Sequence, residues 1–335
     1  MVALGSTRRY VGPRSLMLLA IIGAGLFCLV LLASRCNNCN ALLEQAKRNL
    51  NLVIHQESKL RERLNDIAGN VEHLLDQEKE ISKWPIIYAV TPTYKRFTQK
   101  ADLVRLSQTF MHIPRFHWIL VEDADQPSQS INALLTAKKI NFTHLAIKTQ
   151  SDMKRKQDDP RWIKHRGVDQ RNFALKWIRK NIKNSDDIVY FADDDNTYDI
   201  ELFKEMRFTK MVSVWPVALV GGLRWEGPIC IYGKVVSFFT AWQPDREFPL
   251  DMAAFAINIK VILRHANVFI NPESRRGFLE TDFLHSLGIT KDVMEPRANN
   301  CRKVLVWHTQ TVEPKMKQER RLKALGMGSD PTIEI

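Results

Sequence analysis

Apolar residues run along this chain in three successive textures. From Ser15 to Ala33 the stretch SLMLLAIIGAGLFCLVLLA carries no charge. As a helix it would reach across about 30 Å of hydrocarbon, so it is expected to be a transmembrane anchor. A cleaved signal peptide is the competing reading. Against it, the run exceeds a usual signal core, and Arg35-Cys36-Asn37-Asn38 follows without a small-residue cleavage site. Arg8, Arg9 and Arg14 precede the span and one arginine follows it. That asymmetry puts the N-terminus in the cytosol and the bulk of the chain on the luminal or extracellular side.

Over 43–81 the apolar positions repeat every seven residues. Leu43, Leu50, Leu64 and Val71 fall at a, while Ala46, Val53, Leu60, Ile67, Leu74 and Ile81 fall at d, with Glu57 and Glu78 as exceptions at a. Such a seam needs a partner helix, and a parallel coiled-coil dimer is expected. The alternative is a single amphipathic stem helix packed on its own domain. Cys36 and Cys39 sit just outside the membrane at the top of the seam, where an oxidising lumen would let them cross-link two stems.

Beyond Trp84-Pro85 short apolar runs alternate with helical stretches. Ile86–Val90, His117–Val121, His144–Ile147 and Ile188–Ala192 read as strands; a stretch through Leu103, Leu106 and Phe110, and another from Gln170 to Ile182, read as helices. This order predicts an α/β sheet, mostly parallel and covered on both faces. Polar groups collect just after the strand ends, at Tyr94, Asp123 and Asp193, and open α/β sheets bind ligands along that carboxyl edge. No GxGxxG or Walker loop is present.

The 335 residues include 49 Lys and Arg against 37 Asp and Glu, a formal net charge of +12. Composition excludes a disordered chain, a collagen-like fibre and a disulfide-dense miniprotein. A basic body suits an anionic partner, such as nucleic acid, an anionic membrane, a nucleotide sugar or an acidic polysaccharide, and charge alone does not choose. Of the remaining cysteines, Cys28 lies inside the apolar span. Cys230 and Cys301 read as buried thiols or one disulfide, and their spacing matches no metal site.

The sharpest chemical signal is Asp193-Asp194-Asp195-Asn196-Thr197, directly after an apolar strand. Three adjacent carboxylates repel one another unless a cation or strong donors offset them. Hard oxygen ligands there suit Mg²⁺ or Mn²⁺ bridging a diphosphate. A capping cluster for a helix starting near Tyr198 is the other reading, but a cap explains one Asp and not three.

That run resembles the DxD motif of glycosyltransferases with the GT-A fold, and the wider match is to the β-1,3-glucuronosyltransferase family. Thr91-Pro92-Thr93-Tyr94, Leu120-Val121-Glu122-Asp123, Gly167-Val168-Asp169-Gln170-Arg171-Asn172 and Tyr190–Tyr198 carry the resemblance. So do Val212–Val217, Asp251-Met252-Ala253, Glu295–Cys301 and Val306-Trp307-His308-Thr309, all in one order over about 84–335. Leu223–Pro228, Thr240-Ala241-Trp242 and Pro314–Glu319 resemble the branch that caps the galactose-galactose-xylose linker of proteoglycans. Sister enzymes acting on glycoproteins typically have phenylalanine at the position of Trp242. One departure is Gly277–Asp282, where a His and two Ser are more usual around the Glu.

The resemblance implies a Rossmann-like mixed sheet with helices on both faces, preceded by the transmembrane helix and coiled-coil stem. Residues 1–14 would be a cytoplasmic tail, 15–33 the anchor and 34–84 the stem. A donor half would occupy 85–198, and an acceptor half with the tail 199–335. The implied activity is inverting transfer of glucuronate from UDP-glucuronate, dependent on Mn²⁺, by a homodimeric type II Golgi membrane enzyme. Nucleic acid is not among the implied partners. Asp195 would ligate the metal. Asp193 and Asp194 would hold ribose and donor sugar, with Tyr94 and Asp123 on the uracil. Arg166, Arg171, Arg276 and His308 would meet the anionic donor. Glu280 would be the catalytic base; without the resemblance it reads as a helix-start glutamate. Glu226, Trp242, Arg246 and Asp251 would bind the acceptor galactose, joined by Gln318 from across the dimer. Asn141-Phe142-Thr143 is a glycosylation sequon. Three functional rivals remain: transfer to terminal N-acetyllactosamine, an inactive membrane-tethered scaffold, and a metal-dependent nucleotidyl transferase.

Overall fold

The computed structural model describes residues 13–33, 39–151, 153, 164–183, 186–312, 314–330 and 332–333. The chain divides into two compact units, Met1–Lys79 and Glu80–Ile335. Helix α1 spans Pro13–Ala33 and α2 spans Cys39–Ser82, so the expected anchor and heptad segments are both helical. Among the described residues no helix is long and apolar enough to cross a membrane. Cys36 lies outside the described residues. In α2 the solvent-exposed ion pairs Lys47–Glu44 and Arg61–Glu57, at 2.8 and 2.6 Å, join successive turns. The seam residues Val53, Leu60, Leu64, Ile67, Val71 and Leu74 are all exposed in the single chain.

The second unit alternates strands and helices as the sequence predicts. In order it contains β1 (Ile87–Thr93), α3 (Gln99–Phe110), β2 (Phe116–Glu122), α4 (Gln129–Ala137), β3 (Asn141–Ala146), α5 (Val168–Asn181) and β4 (Ile188–Phe191). Then follow β5 (Thr197–Tyr198), α6 (Ile200–Met206), β6 (Val212–Val214), β7 (Val217–Ala218), β8 (Trp225–Ile231) and β9 (Lys234–Phe239). The last elements are β10 (Phe255–Asn258), α7 (Ile259–Arg264), α8 (Leu279–Ser286), β11 (Met294–Pro296), β12 (Val306–Trp307) and a C-terminal helix, Lys317–Ala324.

Seven strands form the main sheet in the order β11-β6-β10-β4-β1-β2-β3. The four strands legible in the sequence pair in parallel, and their near-continuous apolar runs fit a sheet covered on both faces. The sheet is mostly parallel, as expected, and mixed. β10 runs antiparallel to both β4 and β6, because it enters from the C-terminal half in the reverse direction. A second, five-stranded sheet has the order β5-β12-β7-β8-β9. The core is aromatic: Phe110 lies 4.5 Å from Phe116, 5.0 Å from Trp118 and 5.7 Å from Phe203 between ring centres. Buried polar tips find acceptors, with Trp118 Nε1 donating to Thr91 Oγ1 and Trp215 Nε1 to the Ala253 carbonyl.

Cys230 and Cys301 form a disulfide, which settles the two alternatives left open above. It joins β8 to a left-handed turn in which Ala298, Asn299, Asn300 and Cys301 all have φ between 55 and 63°.

Candidate active site

Chain direction creates the site. From β1 the chain passes to β2 and β3 on one side, while β4 lies against the other side of β1. A crevice therefore opens beyond the carboxyl ends of β1 and β4, where ligands of open α/β sheets bind. Tyr94 follows β1 and Asp193–Asp195 follow β4.

Each aspartate has different surroundings. The Arg171 guanidinium pairs with Asp193 Oδ1, and Tyr198 Oη donates to the Asp193 carbonyl at 3.0 Å. Arg171 is buried, its Nη1 donates to the Arg166 carbonyl at 2.8 Å, and its Nε has no hydrogen-bond partner among the described residues. It leaves the first turn of α5, which Gly167 opens at φ +68°. A Cβ on Gly167 would lie 2.8 Å from Arg171 Nη1 and 2.9 Å from Pro92 Cβ, so glycine is required there. Asp194 is buried and accepts from Thr93 Oγ1 at 2.6 Å and Arg96 Nη1 at 2.8 Å. Burial still pushes it up to about 6, against the pull of Arg96 and Thr93. For Asp195, burial and then the adjacent Asp193 raise the carboxyl. Among the described residues no Lys, Arg or His pairs with it. Thr309 Oγ1 donates to its carbonyl. The cap of the following helix is Asp199, whose Oδ1 accepts from Glu201 N–H at 2.9 Å, so the three aspartates do not serve as that cap.

These groups provide one open position for a divalent ion. Arg171 and Arg96 compensate Asp193 and Asp194, leaving Asp195 as the carboxylate without a cationic partner. Among the described residues no group of three or more His, Cys, Asp or Glu side chains could hold a metal. A single carboxylate completed by substrate phosphate oxygens is a donor set that suits Mg²⁺ or Mn²⁺, and Asp195 fits it.

A second group of site residues comes from the C-terminal half. Asp251 Oδ1 accepts from Ala253 N–H at 2.9 Å, and its Oδ2 lies 3.1 Å from His308 Nδ1. Asp251 pushes His308 up to about 9 against the opposing effect of burial. Burial alone would raise Asp251, but His308 holds it below the usual carboxylate range. Glu280, in the first turn of α8, is partly buried. Burial and then the Asp251 charge push it up to about 7, opposed by Arg171 and Arg246. The charges of Asp251, Arg171 and Arg246 all act on the Glu280 carboxyl.

Arg246 and Glu226 are both buried, with Nη2 to Oε2 at 3.3 Å, and Thr240 Oγ1 donates to Glu226 at 2.6 Å. Arg246 also donates to the carbonyls of Trp242 at 2.7 Å and Gly277 at 3.3 Å, joining the Trp242 loop to the segment before α8. A Cβ on Gly277 would lie 2.6 Å from Trp242 Nε1. The Arg276 guanidinium sits 5.0 Å above the Trp242 ring, which remains 42% exposed.

Asp123 follows β2 beside the end of β1: its N–H donates to the Thr93 carbonyl at 2.8 Å, and its carboxylate accepts from Thr149 N–H and Oγ1 at 2.8 and 2.9 Å. Gln318 is exposed on the C-terminal helix. Asn141 is exposed at the start of edge strand β3, and the sequon hydroxyl of Thr143 is 2.8 Å from His117 Nε2. Cys39 opens α2. Sequence reasoning missed Thr93, Arg96, Asp102, Thr240 and Thr309. Thr93, Thr240 and Thr309 lay inside quoted motifs without a role of their own, while Arg96 and Asp102 had no signal.

A Rossmann-like sheet with carboxylates beyond β4 and arginines facing them is the architecture of a nucleotide-sugar-dependent glycosyltransferase. Residues 106–312 match glycosyltransferase family 43, and the chain belongs to that family. It is 51% identical over 270 residues to galactosylgalactosylxylosylprotein 3-beta-glucuronosyltransferase 3 of Mus musculus, covering 77% of this chain and 80% of that protein. The Homo sapiens protein of the same name is 50% identical with the same coverage. Galactosylgalactosylxylosylprotein 3-beta-glucuronosyltransferase 1 of Homo sapiens is 45% identical over 258 residues, 75% of each chain.

Proposed function

We propose that this protein is an inverting β-1,3-glucuronosyltransferase that moves glucuronate from UDP-glucuronate to the 3-hydroxyl of the terminal galactose in the Gal-Gal-Xyl linker of proteoglycans. The observation that carries the reading is the match over most of the chain to galactosylgalactosylxylosylprotein 3-beta-glucuronosyltransferases, and Glu280, which burial and the Asp251 charge push up to about 7, is the carboxylate suited to the base. A sugar hydroxyl is a poor nucleophile at neutral pH, and a carboxylate with that pKa is suited to take its proton during attack. The acceptor oxygen bonds to the anomeric carbon while the bond to UDP breaks, and the hydroxyl proton passes to Glu280. One displacement converts the α-linked donor to a β product.

Asp195 would hold Mn²⁺, which when bound supplies charge neutralisation for the departing diphosphate. Around it the protein's own groups bind and orient. Arg166 and Arg171 meet the anionic donor with planar guanidinium donors. His308, charged through its pairing with Asp251, adds a cation for the diphosphate, and Arg276 would meet the anionic donor from its place over the Trp242 ring. Tyr94 contacts the uracil face and Asp123 its edge, while Asp193 and Asp194 hold ribose and donor sugar. Trp242 offers a half-exposed aromatic face to the acceptor sugar, with Glu226, Arg246 and Asp251 on its hydroxyls.

The same proposal places the chain in the Golgi membrane as a type II protein anchored by 15–33, its body in the lumen. The flanking arginines and the Cys230–Cys301 disulfide support this, since disulfides persist in oxidising compartments. The exposed heptad seam of α2 supports a homodimer, with Cys36, Cys39 and the cross-dimer role of Gln318 belonging to that assembly.

Incubation with radiolabelled UDP-glucuronate and either Gal-β-1,3-Gal or N-acetyllactosamine tests the assignment. Transfer to Gal-β-1,3-Gal is expected. Transfer to lactosamine alone would overturn the linker assignment, and pyrophosphate release in place of UDP would overturn the reaction class.

A further inference from the structure

We infer that Arg96 is a positioning residue of the donor site. Its guanidinium locks the Tyr94 ring and the Asp194 carboxylate into one unit, so that the base end and the sugar end of the nucleotide sugar are held at a fixed separation. The inference rests on the UDP-glucuronate reading above and assigns a role to a residue outside the motifs that define the site.

Arg96 lies in the loop between β1 and α3, and every nitrogen of its guanidinium is engaged. Nη1 donates to Asp194 Oδ2 at 2.8 Å and to the Tyr94 carbonyl at 3.4 Å. Nη2 donates to Asp102 Oδ2 at 2.7 Å, and Nε to Thr98 Oγ1 at 3.2 Å. The guanidinium carbon also stands 4.8 Å from the centre of the Tyr94 ring. That ring is 48% exposed, so Arg96 backs it while leaving surface open for a base.

The fixed end of this arrangement is Asp102. It is buried in α3, pairs with Arg105 at 3.1 Å and accepts from Thr311 Oγ1 at 2.8 Å. Arg96 is therefore tethered to the body at one edge and spans the crevice mouth at the other, from the end of β1 to the end of β4. An arginine that served only to anchor the loop would need Asp102 alone. The contact with Asp194 and the stacking on Tyr94 are what connect it to the donor.

Lysine cannot reproduce this geometry. A single ammonium can pair with one of the carboxylates, but it has no planar fork to bridge both and no face to lay against tyrosine. Arg96→Lys and Arg96→Gln in the full chain separate charge from shape. Donor and acceptor KM and kcat would be measured, with UDP affinity obtained independently by calorimetry.

The expected result for Arg96→Lys is an increase of about tenfold in both the UDP-glucuronate KM and the UDP dissociation constant. The Gal-β-1,3-Gal KM should stay within about twofold, and Arg96→Gln should weaken the donor further. Combined with Tyr94→Leu, the loss of UDP affinity should be smaller than the sum of the single losses, because both substitutions dismantle one unit. Unchanged UDP affinity, an equal rise in acceptor KM, or strictly additive losses would overturn the role. Wild-type protein that binds UDP but transfers no glucuronate would refute the proposed activity, while the calorimetric comparison would still judge Arg96.

Discussion

The Glu280 carboxyl loses hydration in its partly buried position and faces the charge of Asp251, and together these effects exceed the attraction of Arg171 and Arg246. As the proposed base it must be ionised, so kcat/KM should rise tenfold per pH unit below about 7 and level off above it. His308 loses its charge as pH rises through about 9, which gives a falling limb there; a profile without the acid limb would remove Glu280 from the chemistry. Stability follows the opposite course. A raised native pKa means that the folded chain holds this proton between about 4.5 and 7, where the unfolded chain has released it. The contribution is fully present below the unfolded value and is lost as pH rises through about 7, leaving a buried charge that costs stability. Glu280→Gln should therefore reduce turnover by about 10²–10⁴-fold. The same substitution should raise stability above pH 7 by on the order of 1–3 kcal/mol, one pKa unit being worth about 1.4 kcal/mol. Paired activity and urea-unfolding measurements check both signs.

The left-handed turn at 298–301 places Ala298, Asn299, Asn300 and Cys301 where L-residues lose about 1–2 kcal/mol each. The disulfide to Cys230 ties that turn to β8 and closes a loop with a sequence separation of 71. Replacing both cysteines by serine should lower unfolding free energy by about 2–4 kcal/mol in denaturant titrations; no change would mean that the turn is held by its surroundings alone. Visibility of elements in the sequence followed their length and setting. β1, β2 and β4 stood out because each contains a run of four apolar residues buried on both faces. β5, β7 and β12 have two residues each, too few to show any period, and Gly227-Pro228 interrupts the pattern of β8. The reversal of β10 leaves no local trace, because strand direction is decided by the path of the chain around it. The heptad of α2 was legible because its apolar period extends over many turns. Its exposed d positions give a direct test of the stem. Leu60→Glu with Ile67→Glu should convert a dimer to a monomer in analytical ultracentrifugation, whereas an unchanged mass would assign dimerisation elsewhere.

In the molecule as a whole, the proposed donor site is assembled from segments whose charges balance only together. The three aspartates were conspicuous in the sequence because adjacent carboxylates repel. Their division of labour was not, since it depends on Arg171, 22 residues from Asp193, and on Arg96, 98 residues from Asp194. Glu280 had even less local signature, because its raised pKa arises from burial and from Asp251. Once Arg171 and Arg96 are accounted for, Asp195 alone remains for a cation, and a single carboxylate binds a divalent ion weakly unless phosphate oxygens complete the shell. Binding of Mn²⁺ and UDP should therefore be cooperative, and a ligand that binds only the folded state raises its stability in proportion to affinity. In thermal unfolding of the whole chain, Mn²⁺ alone should shift the midpoint little and UDP in chelator only modestly. Together they should exceed the sum of the separate shifts, each additional kcal/mol raising a domain of 150–250 residues by about 2–4 °C. Asp195→Asn should abolish the excess while leaving the shift from UDP in chelator. Chelator should also stop glucuronate transfer, and added Mn²⁺ should restore it. Equal stabilisation by Mn²⁺ with and without UDP would mean that the protein holds the ion by itself, and the assignment of a lone aspartate ligand would fail.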